Sequence, residues 1–223
     1  MKAELISCMG TDLTVVNAAR VSFDKESNWE VDHNVRQELS SSDTALIRYL
    51  AKHKHFTPFT HCMVTLRETI PIFVARQRFK HTIGFTYNEV SRRYVDDEPE
   101  FYFPSEWRGR ADNAKQGSGE EVIDINPPSG TGPSMVDEYH HAVQKCRWTY
   151  QQLLRRGVCP EQARMVLPQS MFTSYYVTGS LSAFARAYKL RIDKHAQKEI
   201  QVLAEQWNLI IKDLYPVSWE ALI

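Results

Sequence analysis

The sequence has no excess of either charge: Lys plus Arg and Asp plus Glu both number 27. A protein that grips a nucleic-acid backbone through its overall field needs a basic balance, so that class is disfavoured for the chain as a whole. Cysteine is scarce. Cys8, Cys62, Cys146 and Cys159 show neither a C-x-x-C pair nor the density of a disulfide scaffold, which points to a reduced, cytoplasmic protein. Long apolar runs are missing too. Met165 to Ala185 carries no charge, but Pro168, Gly179 and several hydroxyl side chains make it buried or site-lining chain, not a membrane span. The opening MKAELISC has Glu4 and no apolar run, so no signal peptide is expected. His53, His55 and His61 lie close in KHKHFTPFTH, yet no cysteine or carboxylate completes a zinc pattern, and no metal is expected. Aromatic residues are absent from 108–134, where glycine and proline abound. Such a composition buries too little to order itself and predicts a mobile surface insertion.

The remaining pattern suits one domain over residues 1–223, long enough for a substantial core. A strand is expected over 4–9 and a helical turn from Leu13 to Arg20. Ser42 or Asp43 is placed to cap a helix carrying Leu46, Tyr49 and Leu50, which breaks before Pro58. Cys62, Val64 and Leu66 alternate with Met63, Thr65 and Arg67, the period of a strand with one buried face. Phe101 to Phe103 has strand composition. Ser134 and Asp137 resemble a capping box at the start of a long helix whose stripe is Val136, Val143, Cys146, Tyr150, Leu153 and Leu154, with Gly157 as its stop. Pro160 starts a helix that bears Arg164. Residues 171–178 read as a strand and Leu181 to Leu190 as a helix. Ala196, Ile200, Leu203, Ala204, Trp207, Ile210, Ile211 and Leu214 mark the strongest amphipathic helix. Together these predict an α+β fold, a central mixed or antiparallel sheet packed by long helices.

The chemistry concentrates between Pro71 and Tyr94, PIFVARQRFKHTIGFTYNEVSRRY. Pro71 is suited to open a helix, since the first turn leaves its missing N–H unpaired anyway. On a helix Gln77 and His81 share one face, and Arg76 and Lys80 another, with Gly84 as the stop. Tyr87, Asn88, Glu89, Ser91 and Arg93 then gather aromatic, amide, carboxylate, hydroxyl and guanidinium groups. That mixture suits a polar, anionic, ring-containing small molecule. The plain alternative is a solvated helix and loop, because charged side chains usually just face water.

The order of these residues resembles the signature region of the flavin-dependent thymidylate synthases, Arg-His-Arg-x7-Ser. Here the triplet is Lys80-His81-Thr82, and Ile83 to Val90 separate it from Ser91. Four further segments resemble the family in the expected order: MGTDLTVVNAARVSF, HFTPFTH, VCPEQARMVLP and LRIDKHAQKEIQ. They run collinearly from Met9 to Gln201 and leave out mainly the insertion.

The resemblance implies a homotetramer with shared active sites that methylates dUMP to dTMP. It implies methylenetetrahydrofolate as carbon donor, NADPH as reductant, FAD as cofactor and no covalent enzyme nucleophile. Arg191 matches the arginine that meets the uracil ring, where a fixed guanidinium would stabilise charge on N3 and the carbonyl oxygens and activate C5. Gln77, Arg78, Lys80, Glu89, Ser91, Arg92, Arg93 and Arg164 would complete the dUMP pocket, with Ser91 at the phosphate. His55, Thr57, Lys80, His81, Thr82, Glu89, Ser180, Ser182, Arg186 and His195 fall where the family holds FAD. His195 shares a face with Arg191 if their helix is continuous. Thr82 stands where the family has arginine, Lys80 lacks arginine's bidentate fork, and Arg186 is placed to return the charge. Two other classes compete. A cysteine-dependent thymidylate synthase would use Cys159, and a nucleic-acid module would use the basic and aromatic residues of 76–93.

Overall fold

The computed structural model describes residues 1–31, 37–111, 117–126 and 132–223. In chain order the elements are β1 (Lys2–Met9), α1 (Asp12–Arg20), β2 (Glu30–Val31), β3 (Gln37–Glu38), α2 (Ser41–Lys52), α3 (Thr57–Thr60), β4 (Met63–Pro71), α4 (Ile72–Arg78) and β5 (Phe85–Glu89). They continue with β6 (Arg108–Arg110), β7 (Ser118–Val122), α5 (Met135–Arg155), α6 (Pro160–Ala163), β8 (Phe172–Ser180), α7 (Leu181–Arg191), α8 (Lys198–Leu214) and α9 (Pro216–Leu222). The main sheet has the order β1-β4-β8-β5, and all its pairings are antiparallel.

The alternation that begins at Cys62 runs the length of β4, so Val64, Leu66, Glu68 and Ile70 all point inward. Against this face α8 lays Ile200, Leu203, Ala204, Trp207 and Ile211, all 0% exposed. Burying each large apolar side chain contributes about 1.5–3 kcal/mol, which explains why the most regular amphipathic stretch forms the central helix. Its apolar stripe stops at Leu214 because Pro216 cannot continue the helix; the chain turns at Tyr215 and Pro216 opens α9, whose Trp219 and Leu222 close the core's end.

Several local expectations change in the fold. Ser40, not Ser42 or Asp43, caps α2, and the Asp43 carboxylate instead takes the Arg20 guanidinium, 2.9 Å from its Nε. Pro58 does not end that helix; α2 stops at Lys52, and Pro58 lies in the first turn of α3. Pro71 ends β4, and α4 closes at Arg78, before the Lys80-His81 pair. The expected strand at Phe101–Phe103 is a single bridge from Phe101 to Met171. Along α5 only Val143 and Tyr150 are buried. Within 108–134, the part described includes paired backbone: β6 joins β7, and Arg108 reaches Ser118 at 2.9 Å and Glu199 of α8 at 2.6 Å. Composition did not foresee this hairpin, because it is anchored by contacts far apart in the chain, among them the Arg108–Glu199 ion pair. Residues 112–116 and 127–131 of that stretch lie outside the described residues.

Candidate active site

The polar run after Gly84 is an edge strand. Phe85, Tyr87 and Glu89 of β5 lie opposite Gly179, Val177 and Tyr175 of β8. Gly179 makes room for this: a Cβ there would sit 2.4 Å from the Phe85 ring. Gly84, at φ +79°, turns the chain into β5 where its own Cβ would meet Ala183 at 2.9 Å. The turn between α4 and β5 is thereby pressed onto the start of α7.

Beyond the end of β5 a cleft of about 880 Å³ opens between β4, β8, residues 89–100 and the turn after α6. Glu89, Ser91, Arg92, Arg93 and Arg164 all line it, so the fold brings the distant Arg164 to the four candidates of 89–93. Arg93 Nε lies 3.2 Å from Ser91 Oγ, and Thr173 donates to Glu89 at 2.6 Å. Arg92 is ion-paired to Asp97 at 2.9 Å. Arg93 and Arg164 form no ion pair among the described residues, and neither does Arg67, which also lines the cleft. Arg67 is held at 3.1 Å by Ser174. The sequence reading did not select Arg67. Its place on the outward face of β4, opposite the buried alternation, is the signal that marks it.

A second cleft, about 900 Å³, is lined by Gln77, Arg191, His195 and Gln197 together with Arg108 and Ser118 of the hairpin. Among the described residues none lines both clefts. The Gln77 side chain is hydrogen-bonded to Gln197 at the start of α8. Arg191 ends α7; its Nε donates to His81 Nε2 at 2.8 Å and its Nη2 to the Gln77 carbonyl at 3.3 Å. Because Nε2 accepts, the His81 imidazole is neutral with its proton on Nδ1. Burial, then the Arg191, Arg78 and Arg186 charges, pushes its pKa down to about 4. His195 does not continue the Arg191 helix, since α7 ends and residues 192–197 turn before α8.

Arg78 is a correction. Its side chain is 0% exposed and paired with Glu68, itself 0% exposed, at 3.0 Å. The guanidinium carbon lies 4.5 Å from both the Phe85 and Trp207 ring centres. It cannot touch a ligand in either cleft. Ser180 is also committed, because its side chain is buried and caps α7 by accepting from Ala183 N at 3.3 Å. Lys80, Thr82, Ser182 and Arg186 surround the turn before β5, outside both clefts, and Arg186 reaches the Ile83 carbonyl. His55 and Thr57 are exposed at the start of α3, which packs on α7. The exposed Thr82 hydroxyl, the half-buried Ser182 hydroxyl and two cations beside one turn form a donor set that fits a flavin diphosphate. Glu89 and His195, by contrast, belong to the two separate clefts. The basic stripe expected of a nucleic-acid module is broken up, with Arg78 in the core and Arg92 ion-paired.

The profile of the family described as "Thymidylate synthase complementing protein" matches residues 4–217. A flavin-dependent thymidylate synthase of Thermotoga neapolitana is 36% identical over 220 residues, covering 99% of this chain and 89% of the relative. That of Thermus thermophilus is 35% identical over 217 residues, covering 97% and 73%. Among solved structures, the UMP/dUMP methylase PolB of Streptomyces cacaoi, bound with 5-Br dUMP, superposes with a TM-score of 0.77 at 31% identity, covering 99% of this chain and 93% of that one. With a profile match across nearly its whole length and relatives at this identity, the chain belongs to the family of thymidylate synthase complementing proteins, the flavin-dependent thymidylate synthases.

Proposed function

We propose that this enzyme converts dUMP to dTMP with 5,10-methylenetetrahydrofolate as carbon donor, NADPH as reductant and FAD as cofactor, in a homotetramer whose sites are shared between subunits. One observation carries the reading: guanidinium groups that form no ion pair among the described residues, those of Arg67, Arg93 and Arg164, line one cleft together with Ser91, while Arg191 and Gln77 line another. The first group suits a phosphate, because charge-assisted and forked contacts are the strong ones. The second suits a uracil edge. One nucleotide meets both when the phosphate cleft of one copy faces the Arg191 cleft of another.

In the Arg191 cleft, His81 and the Gln77 carbonyl hold the guanidinium by Nε and Nη2 and leave Nη1 for the ligand. A cation fixed there stabilises negative charge on the uracil carbonyls and N3, which raises electron density at C5. Preorganised donors of this kind contribute on the order of 3 kcal/mol. Lys80, Thr82, Ser182, Arg186 and Thr57 would hold the flavin, which when bound supplies the hydride chemistry. The cysteines support a route without an enzyme nucleophile. None lines either cleft, and burial with the nearby Asp12 charge pushes the Cys62 thiol up to about 12.

The test is dTMP formation from dUMP by the purified flavoprotein, parent against Arg191→Ala. The variant should lose about a hundredfold in dTMP formation and retain NADPH-driven flavin reduction. Mixing Arg164→Ala and Arg191→Ala chains should restore part of the activity, since some sites then combine two intact halves. Near-normal dTMP formation by Arg191→Ala, or no restoration in verified mixed assemblies, overturns the reading.

A further inference from the structure

The buried Arg78 is linked by hydrogen bonds to the surface arginine of the second cleft. Its Nη1 donates to the Tyr87 hydroxyl at 2.7 Å, and that hydroxyl donates to the His81 carbonyl at 2.7 Å. A phenol has one proton, and of the two carbonyls in reach, His81 at 2.7 Å and Arg78 at 3.4 Å, the nearer takes it. The His81 imidazole then accepts the Arg191 Nε–H at 2.8 Å. We propose that Tyr87 is a positioning residue: by fixing the His81 backbone to the core, it fixes the imidazole and, through it, the Arg191 guanidinium at the edge of the cleft. The inference rests on the reading of Arg191 as the uracil-facing group.

Three features favour this over a purely structural role. First, the Tyr87 ring already packs without help from its hydroxyl, 5.1 Å from the Phe79 ring and 6.0 Å from the Tyr175 ring. Its hydroxyl nevertheless reaches out of that packing to the one carbonyl that precedes the exposed Thr82, Ile83 and Gly84. Second, at Ile83 the turn is held by the exposed Arg186 side chain and at Gly84 by the Ser180 N–H at 3.2 Å, whereas Tyr87 holds the His81 carbonyl itself from the core. A site residue is aimed reliably only when its support is itself locked by packing. Third, the imidazole must remain neutral to accept from Arg191. The groups around it, Arg191, Arg78 and Arg186, are all cations, and they act with burial in that direction.

The experiment uses the flavoprotein labelled with 13C at the histidine ring, with the His81 signal assigned by its loss in His81→Gln. In the parent the His81 ring should titrate near 4. In Tyr87→Phe the loosened ring should titrate closer to the ordinary histidine value of about 6.5. At saturating dUMP, kcat for dTMP formation should fall about three- to tenfold, the worth of one hydrogen bond, with flavin reduction retained. In an Arg191→Ala background the same change should cause no further loss, because coupled residues are not additive. 4-Fluorophenylalanine at position 87 adds no bulk beyond the hydroxyl oxygen, leaves a weak acceptor toward Arg78 and loses the donated proton. It makes the same measurement should the phenylalanine variant not fold. An unchanged His81 titration overturns the proposal. So does an equal loss of turnover in both backgrounds, or a lower Tm with kcat intact. The titration assumes nothing about the chemistry of Arg191, so a normal rate in Arg191→Ala would sink that chemistry and leave the Tyr87 link standing.

Discussion

Replacing Glu68 by leucine keeps the volume of the side chain and removes its charge. At this position the carboxylate accepts Arg78 Nε at 3.0 Å, Arg78 Nη2 at 3.3 Å, Trp207 Nε1 at 2.8 Å and the Tyr175 hydroxyl. Glu68, Arg78 and Trp207 are all 0% exposed, so no water replaces the lost acceptor. Burial and the Glu68 carboxylate already push the Tyr175 phenol well above its usual value, so it stays a donor. Leaving one buried charge unpaired costs about 3–5 kcal/mol, more than any packing change between glutamate and leucine. For a chain of this length that corresponds to a Tm lower by about 6–20 °C. The double change Glu68→Leu with Arg78→Met removes the charge problem, and replacing a buried pair by apolar groups is often neutral or stabilising. It should recover part of the loss but not all, because the buried Trp207 Nε1–H and Tyr175 hydroxyl still lack their acceptor, at about 1–3 kcal/mol each. Melts followed by circular dichroism need matched protein and flavin concentrations, because assembly and ligand shift the midpoint by mass action. A single variant within about 3 °C of the parent, or a double variant no more stable than the single, refutes the argument that unpaired charge dominates.

Two further outcomes are expected. Ser91→Ala, by losing one charge-assisted bond worth about 1.5–3 kcal/mol, should raise the apparent dUMP constant about ten- to a hundredfold with turnover recovered at high dUMP. Activity lost at saturation with dUMP binding intact would contradict a binding role, and Cys159→Ala measured alongside should match the parent. His81 gives a pH signature. Its folded pKa of about 4 lies below the ordinary 6.5, so the unfolded chain binds the extra proton first. This contribution to stability is complete above about pH 6.5 and is lost as pH falls toward 4, by about 1–3 kcal/mol. His81→Gln should flatten the stability profile in that window, and an unchanged slope would show that the ring is not buried neutral.

Patterns repeated along the chain made the scaffold legible. The alternation from Cys62, the stripe from Ile200 to Ile211 and the Ser134 cap are local statements of which face meets the core, and the fold keeps them. The signature residues also came from sequence, because Glu89, Ser91 and Arg93 carry their chemistry in their identity and order. Sequence did not say which of several arginines faces a ligand. Arg78 and Arg93 look alike in a string, but one lies under Trp207 and Phe85 and the other beside Ser91. The clue was present: extending the period-two pattern from Leu66 places Glu68 on the buried face, and a carboxylate there demands a buried donor. Which donor answers depended on how α4 and α8 pack on β4. That is a matter of contacts between residues far apart in the chain, and so is the hairpin held by Arg108 on Glu199. Composition and periodicity thus determined the elements and the inward faces, and the order of the motif residues pointed to the family. The tertiary structure alone decided which charges are paired in the core and which stand free in the clefts, because pairing follows distance in space and local patterns carry only distance along the chain.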